Sequence, residues 1–172
     1  MEEKIDYRIK KSSVKNFDDD AQLAWDVIVP LWDIIPRSKK GLKMLEQVTQ
    51  GQRALFTLDW CQKIIRNDGL KDFFSSSVGI FVNEALEGFK LIGAKVYADV
   101  LKESMLIFPD NKAPLTTSRR KKIIKLIPQD ERNRFFDSLE DKFFKYIGSK
   151  EYDLERYRAN YVRSNPKDFF TD

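Results

Sequence analysis

Apolar residues recur at intervals of three and four along most of this chain, which is the spacing of an amphipathic helix. Such patterns predict helices over about 19–29, 39–48, 50–66, 80–92, 95–108, 118–127, 130–146 and 153–163. The widest apolar stripe lies in the segment 130–146 and consists of Phe135, Phe136, Leu139, Phe143 and Phe144. Near the start, Ile5, Tyr7 and Ile9 alternate with polar residues, which fits either a short strand or a frayed basic terminus.

Residues that favour helix starts precede several of these segments. Thr49 and Gln52 have the spacing of a capping box. Ser38 and Thr117 are predicted to cap the segments that follow them. The triplet Asp18–Asp20 suits the positive end of a helix dipole better than a metal site, because consecutive side chains on a helix point apart.

Helix stops complete the division of the chain. Asn67-Asp68-Gly69 ends the 50–66 helix, and Pro30 is expected to break or kink the first one. Only seven glycines and six prolines argue against a sandwich of many short strands. We therefore predict an all-α fold, a single compact domain of about seven to nine helices over 17–172. A weakly ordered basic segment, 1–16, is expected to precede it.

Missing residue types exclude several kinds of chemistry. The chain has no histidine, which removes histidine bases and the commonest transition-metal ligand. Its one cysteine, Cys61, cannot form an internal disulfide, and its helical context predicts a small core residue. The acidic start at Met1–Glu3 predicts no secretory signal, and the longest apolar run, Val27–Trp32, is too short to span a membrane. We expect a cytoplasmic protein without cofactor or metal.

A basic block is the strongest charge feature. The chain carries 31 Lys and Arg against 27 Asp and Glu, a net charge of +4. No acidic residue interrupts the stretch that contains Arg119, Arg120, Lys121, Lys122 and Lys125. Such a cluster can bind phosphates, but no aromatic residue interleaves it to stack bases. A solvated or intramolecularly paired face and a contact surface for a protein partner are the other interpretations.

Two further clusters have a functional and a structural interpretation each. Asp137, Glu140 and Asp141 share a helix face, which suits acid–base chemistry, although Asp141 and Lys145 can simply form a helical ion pair. The turn after the 50–66 helix is the best candidate for a recognition cleft, with polar contacts beside an aromatic floor. Its candidate residues are Asn67, Asp68, Phe73, Phe74 and Ser75. In the alternative interpretation, Asn and Gly form the turn and the Phe pair holds it to the core.

An ordered set of short motifs resembles the bacterial DNA mimic protein-like family over roughly residues 50–170. The motifs are Asn67-Asp68-Gly69-Leu70, Phe73-Phe74-Ser75-Ser76, Ala85-Leu86, Ile92-Gly93-Ala94, Phe108-Pro109, Ser138–Phe144 and Tyr161–Phe170. The resemblance implies an all-helical fold and a habit of binding other proteins. Asp68, Leu70 and Asn165 depart from the Gly, Phe and His of the family pattern.

The net charge changes what the resemblance implies about function. The family is named for strongly acidic DNA mimics, whereas this chain has a pI of about 9.0. A surface that imitates phosphates needs dense carboxylates, so we do not expect DNA mimicry as a property of the whole protein. The predicted function is a non-catalytic protein-binding or regulatory module, with a homodimer as one arrangement. A nucleic-acid-associated protein that uses Arg119–Lys125 and a carboxylate-based enzyme are the alternatives.

Overall fold

Ten α-helices make up the fold of residues 6–172, the part of the chain that the computed structural model describes. Within that part there is no named strand, so the predicted all-α fold is confirmed. Two of the helices have fewer than seven residues, and counting them brings the number above the predicted seven to nine. The helices are α1 (Asp20–Asp26), α2 (Val29–Trp32), α3 (Lys39–Leu45), α4 (Gln50–Asp68), α5 (Leu70–Ser75), α6 (Val82–Leu91), α7 (Lys95–Ser104), α8 (Thr117–Leu126), α9 (Gln129–Ile147) and α10 (Leu154–Ser164).

Helix α4 lies at the centre of the domain. Eleven of its 19 residues are buried, and α6 packs along it. Close approach is possible because Gly88 of α6 has no side chain, and a Cβ there would lie 3.2 Å from the backbone of Ala54. The predicted capping box is confirmed, since the Thr49 side chain accepts from the Gln52 amide and the Gln52 side chain accepts from the Thr49 amide.

The remaining helices pack around this centre in pairs. Helix α1 lies against α10, α7 against both α6 and α9, and α5 against α8. Aromatic rings fill the contact between α6, α7 and α9: the Tyr97 ring lies 5.6 Å from Phe89 and 5.3 Å from Phe143. The Tyr97 hydroxyl donates to the Tyr152 carbonyl oxygen at 2.7 Å, which satisfies the polar end of an otherwise buried side chain.

Several predicted helix ends are corrected by the structure. The predicted 19–29 helix ends at Asp26, so the chain does break just before Pro30; Pro30 itself occupies the first turn of α2, where its missing amide costs nothing. Ser38 lies at the N-cap of α3 without a side-chain capping bond. Helix α8 begins at Thr117 itself, whose hydroxyl bonds to Ser76 and Arg120 instead of capping. The predicted 80–92 and 95–108 segments each include a 3₁₀ turn, at Ser77–Phe81 and Met105–Ile107.

The N-terminal segment lies beside the last residues of the chain. The Ile9 amide donates to the Phe169 carbonyl at 2.9 Å, and the Thr171 amide donates to the Ile9 carbonyl at 3.0 Å. Of the alternating residues Ile5, Tyr7 and Ile9, Ile9 forms one isolated parallel bridge, with Phe170. Ile5 lies outside the described residues. The boundary at residue 16 stays a prediction. Among residues 6–172, no helix has the length and apolar character that membrane crossing requires.

Candidate binding surfaces

The turn between α4 and α5 combines exposed polar residues with a buried aromatic pair. Asn67 and Asp68 are exposed in the last turn of α4, and Ser75 is half-buried. Phe73 and Phe74 are fully buried, and the Phe74 ring contacts Phe108 and Phe136 at 5.1 and 6.4 Å. The aromatic floor of the predicted cleft is therefore corrected: the Phe pair holds the turn to the core and does not line an open surface.

Gly69 gives this turn its shape. Its φ of +90° and ψ of 170° belong to a region that side chains other than glycine rarely adopt. The Leu70 amide that follows donates to the Glu140 carboxylate of α9 at 2.7 Å. Partial burial raises the pKa of Glu140, and the nearby Asp137 and Asp72 carboxylates add to that shift. Glu140 thus ties α9 to the start of α5.

Arg120 has a structural position that its sequence neighbours do not share. Its side chain is fully buried although it belongs to the basic block. The guanidinium donates to the carbonyl oxygens of Phe74 and Ser76 at 2.7 Å each. It also donates to those of Pro114 and Leu115 at 2.7 and 2.8 Å. Burial lowers the pKa of Arg120 to about 10, so the group is charged at neutral pH. Arg120 is therefore corrected from a contact residue to one that fixes α8 on α5.

The other members of the basic block form the outer face of α8. Arg119, Lys121, Lys122 and Lys125 are exposed, and none of them forms an ion pair within residues 6–172. The carboxylates of α9 thus do not neutralise them by direct contact. Two apolar side chains flank this face: Leu115 is 48% exposed before α8, and Leu126 is 76% exposed at its end. We call these six residues the α8 face.

In the predicted carboxylate clusters, the carboxylates that make contacts cap a helix or pair with a cation of another helix. Asp19 accepts from the Gln22 amide as the N-cap of α1, and Asp20 pairs with Arg163 at 2.7 Å. The predicted Asp141–Lys145 pair is absent from the ion pairs of the described residues; the neighbouring Lys142 pairs with Glu103 at 2.9 Å. Over residues 6–172, no three His, Cys, Asp or Glu side chains lie where they could hold one metal ion.

Cys61 is a buried residue of α4, as its sequence context predicts. Burial raises the pKa of its thiol, which keeps the sulfur protonated and weakly nucleophilic at neutral pH.

All three tryptophans of the chain meet on one surface, which the sequence patterns did not indicate. The Trp32 and Trp60 rings stack at 4.0 Å, and Trp25 lies against Trp32 at 5.3 Å. Lys63 and Arg37 lie over these rings at 4.4 Å from Trp32 and 4.7 Å from Trp60. We call these five residues the tryptophan surface. The spacing of seven between Trp25 and Trp32 was visible in the sequence, but their meeting with Trp60 depends on how α2 packs against α4.

A family model described as DMP19-like protein matches residues 46–165. The matched stretch runs from the start of α4 to the end of α10 and includes the α8 face. Trp25, Trp32 and Arg37 of the tryptophan surface precede it. Nothing among the curated proteins or the solved structures matches this chain.

Proposed function

Because the chain belongs to the DMP19-like protein family, we propose that it acts by binding another protein and carries out no catalysis itself. A DNA mimic would bind a DNA-binding protein through an acidic surface, but the net charge here is +4. The proposed partner therefore presents an acidic surface, and the α8 face is the contact.

The observation that carries this proposal is that one cation of the basic block is buried while the others are exposed. The Arg120 guanidinium donates hydrogen bonds to buried carbonyl oxygens. Arg119, Lys121 and Lys122 are exposed on the same helix and have no ion-pair partner among the described residues. The hydrogen bonds of Arg120 hold the helix backbone from which these cations extend. The helix itself needs no further ordering on binding, which favours a specific contact.

Leu115 and Leu126 favour a protein over a nucleic acid as the partner. Both are aliphatic and largely exposed beside the cations. Aliphatic side chains gain free energy when a protein surface covers them, whereas nucleic-acid surfaces contribute mainly phosphates and stacking planes. A cationic surface with apolar edges thus matches an acidic protein surface with apolar residues of its own.

Affinity capture from a native lysate, with and without nuclease treatment, tests the proposal. The tagged wild type is compared with an Arg119→Ala, Lys121→Ala, Lys122→Ala triple variant. The control is Lys95→Ala, Lys102→Ala, Lys145→Ala, which removes the same charge from exposed positions that also lack ion pairs in the described chain. A stoichiometric protein that is captured by the wild type and control, and lost from the α8 variant, supports the proposal. Material that disappears with nuclease would instead assign a nucleic-acid role to α8.

A further inference from the structure

The tryptophan surface lies between two recesses that share Trp32. One, of about 360 Å³, is lined by Trp25, Trp32, Lys63, Arg66 and Asn67 together with Asp59, Gln62 and Glu155. The other, of about 590 Å³, is lined by Trp32, Trp60, Arg37 and Lys40 together with the 33–36 segment. Each recess therefore places two cationic side chains beside an indole ring.

The electrostatic balance of these recesses is positive. Asp59 and Glu155 lie at the first recess, but buried Arg158 pairs with both, at 2.9 and 3.1 Å. Arg37, Lys40, Lys63 and Arg66 are exposed and form no ion pair within residues 6–172. The one charge of Arg158 offsets only one of these two carboxylates, and exposed Asp33 adds a third carboxylate at the second recess. Five cations thus stand against three carboxylates, so the two recesses together keep a positive charge.

Two buried hydrogen-bond donors of the tryptophan surface have no acceptor within residues 6–172. The indole Nε1 atoms of Trp32 and Trp60 are buried and have no acceptor among the described residues. Trp60 is only 8% exposed, and a buried N–H without an acceptor costs free energy. The exposed ammonium and guanidinium groups call for a ligand rich in negatively charged acceptors.

Apolar side chains adjoin the cations. Trp25, Val29 and Ile34 are 41%, 38% and 42% exposed along the α1–α2 region. The faces of Trp32 and Trp60 contact each other and the two cations above them, so Trp25 is the indole with the largest exposed area. A series of stacked bases would need several open ring faces, which this arrangement does not provide. Aliphatic and aromatic side chains of a peptide fit exposed Trp, Val and Ile better.

We propose that the tryptophan surface binds a short segment of a partner protein that carries acidic residues together with aromatic or aliphatic ones. Its carboxylates face Lys63, Arg66, Arg37 and Lys40, and its apolar side chains cover Trp25, Val29 and Ile34. This inference rests on the protein-binding role proposed above, but it assigns a second surface, which shares no residue with the α8 face.

The test begins with random dodecapeptides displayed on phage and selected on the wild-type protein. Enriched peptides are then titrated in solution while the intrinsic fluorescence is measured, because all three emitting tryptophans belong to this surface. We expect enriched sequences with Asp or Glu beside Phe, Trp, Leu or Ile, and a saturable change in emission. Lys63→Met and Trp25→Ala should each weaken binding about tenfold or more, the loss expected for truncated interface residues.

Controls separate this inference from the proposed function. Lys63→Met keeps the aliphatic stem on Trp32, and Lys95→Met is the matched change away from the surface, where affinity should not change. Peptide binding by the α8 triple variant should equal that of the wild type. If the proposed contact at the α8 face proves wrong, the result of this peptide test is therefore unaffected. Three results would overturn the inference: no enriched acidic and apolar sequence, affinity unchanged in Lys63→Met and Trp25→Ala, or saturable emission changes with oligodeoxythymidylate that these variants abolish.

Discussion

The Arg120 guanidinium donates from Nε to the Phe74 carbonyl oxygen at 2.7 Å, across 46 residues of chain. Phe74 itself is buried against Phe73, Phe108 and Phe136. One contact therefore joins the cationic helix α8 to the aromatic core beneath α5. The hydrogen bonds of the buried Arg120 therefore set the position of α8, and with it the side of the molecule from which the exposed cations extend.

Arg120→Ala should lower the free energy of unfolding by about 3 kcal/mol or more, since it leaves several buried carbonyl oxygens without donors. Arg120→Lys should recover only part of this loss, because an ammonium cannot replace a planar fork of donors. Urea unfolding followed by circular dichroism measures both. Arg119→Ala, one position away and exposed, should change stability by less than about 0.5 kcal/mol. Equal losses at 119 and 120 would contradict the structural role of Arg120.

Gly69→Ala should destabilise the protein by about 2 kcal/mol or more, because it adds a side chain at φ +90°. The new Cβ would also lie 2.5 Å from Glu140 Oε1 and disturb the bond to the Leu70 amide. Gly93 provides the comparison: its φ is +79°, but no atom lies within 4 Å of an added Cβ. Thermal unfolding of both variants should show the larger loss at Gly69, and the opposite order would contradict the clash.

Glu84→Gln should stabilise the protein at neutral pH and not at pH 4. Burial raises the pKa of Glu84 above its ordinary value, although Arg53 lies nearby. A raised pKa in the folded state means that the stability which Glu84 contributes is greatest below its ordinary pKa. That contribution is lost as the pH rises through the folded value. Glutamine stays neutral, so its advantage appears only at the higher pH. Urea unfolding at the two pH values measures this, with exposed Glu87→Gln as the control.

Native Cys61 should react with a thiol-specific disulfide reagent at least about a hundredfold more slowly than the urea-unfolded chain. The thiol is fully buried, and its raised pKa reduces the thiolate fraction. Absorbance of the released thiolate follows both rates. A native rate close to the unfolded one would show that α4 opens readily or that the thiol is exposed in solution.

Much of the helical framework was predictable because its signals are local. The capping box at Thr49 and Gln52 and the stop at Gly69 involve residues within one turn of each other. The period of the apolar residues likewise predicted α4, α9 and α10 to within a few residues. The end of α1 at Asp26 and the start of α8 at Thr117 were misplaced by one turn or less, because a helix end depends on which neighbouring carbonyls and amides find partners elsewhere.

The candidate sites were less predictable. The basic block of five cations gives no local reason for Arg120 to be the buried one. Its burial depends on four carbonyl oxygens, two of them on the distant 74–76 segment. Phe73 and Phe74 lie close to Asn67 in the chain, but Asn67 is exposed and the two phenylalanines are buried. Contacts of the Phe74 ring with Phe108 and Phe136, which are distant in the chain, account for this difference.

The sequence by itself therefore determined the all-α class, the burial of Cys61 and the positive net charge, because composition and short-range periodicity are sufficient for these. Only the tertiary structure decided which cations are exposed and which residues meet. Trp25, Trp32 and Trp60 come together, and Glu140 reaches the Leu70 amide, through contacts between segments far apart in the chain. Those contacts are set by the packing of whole helices, which no short stretch of sequence encodes.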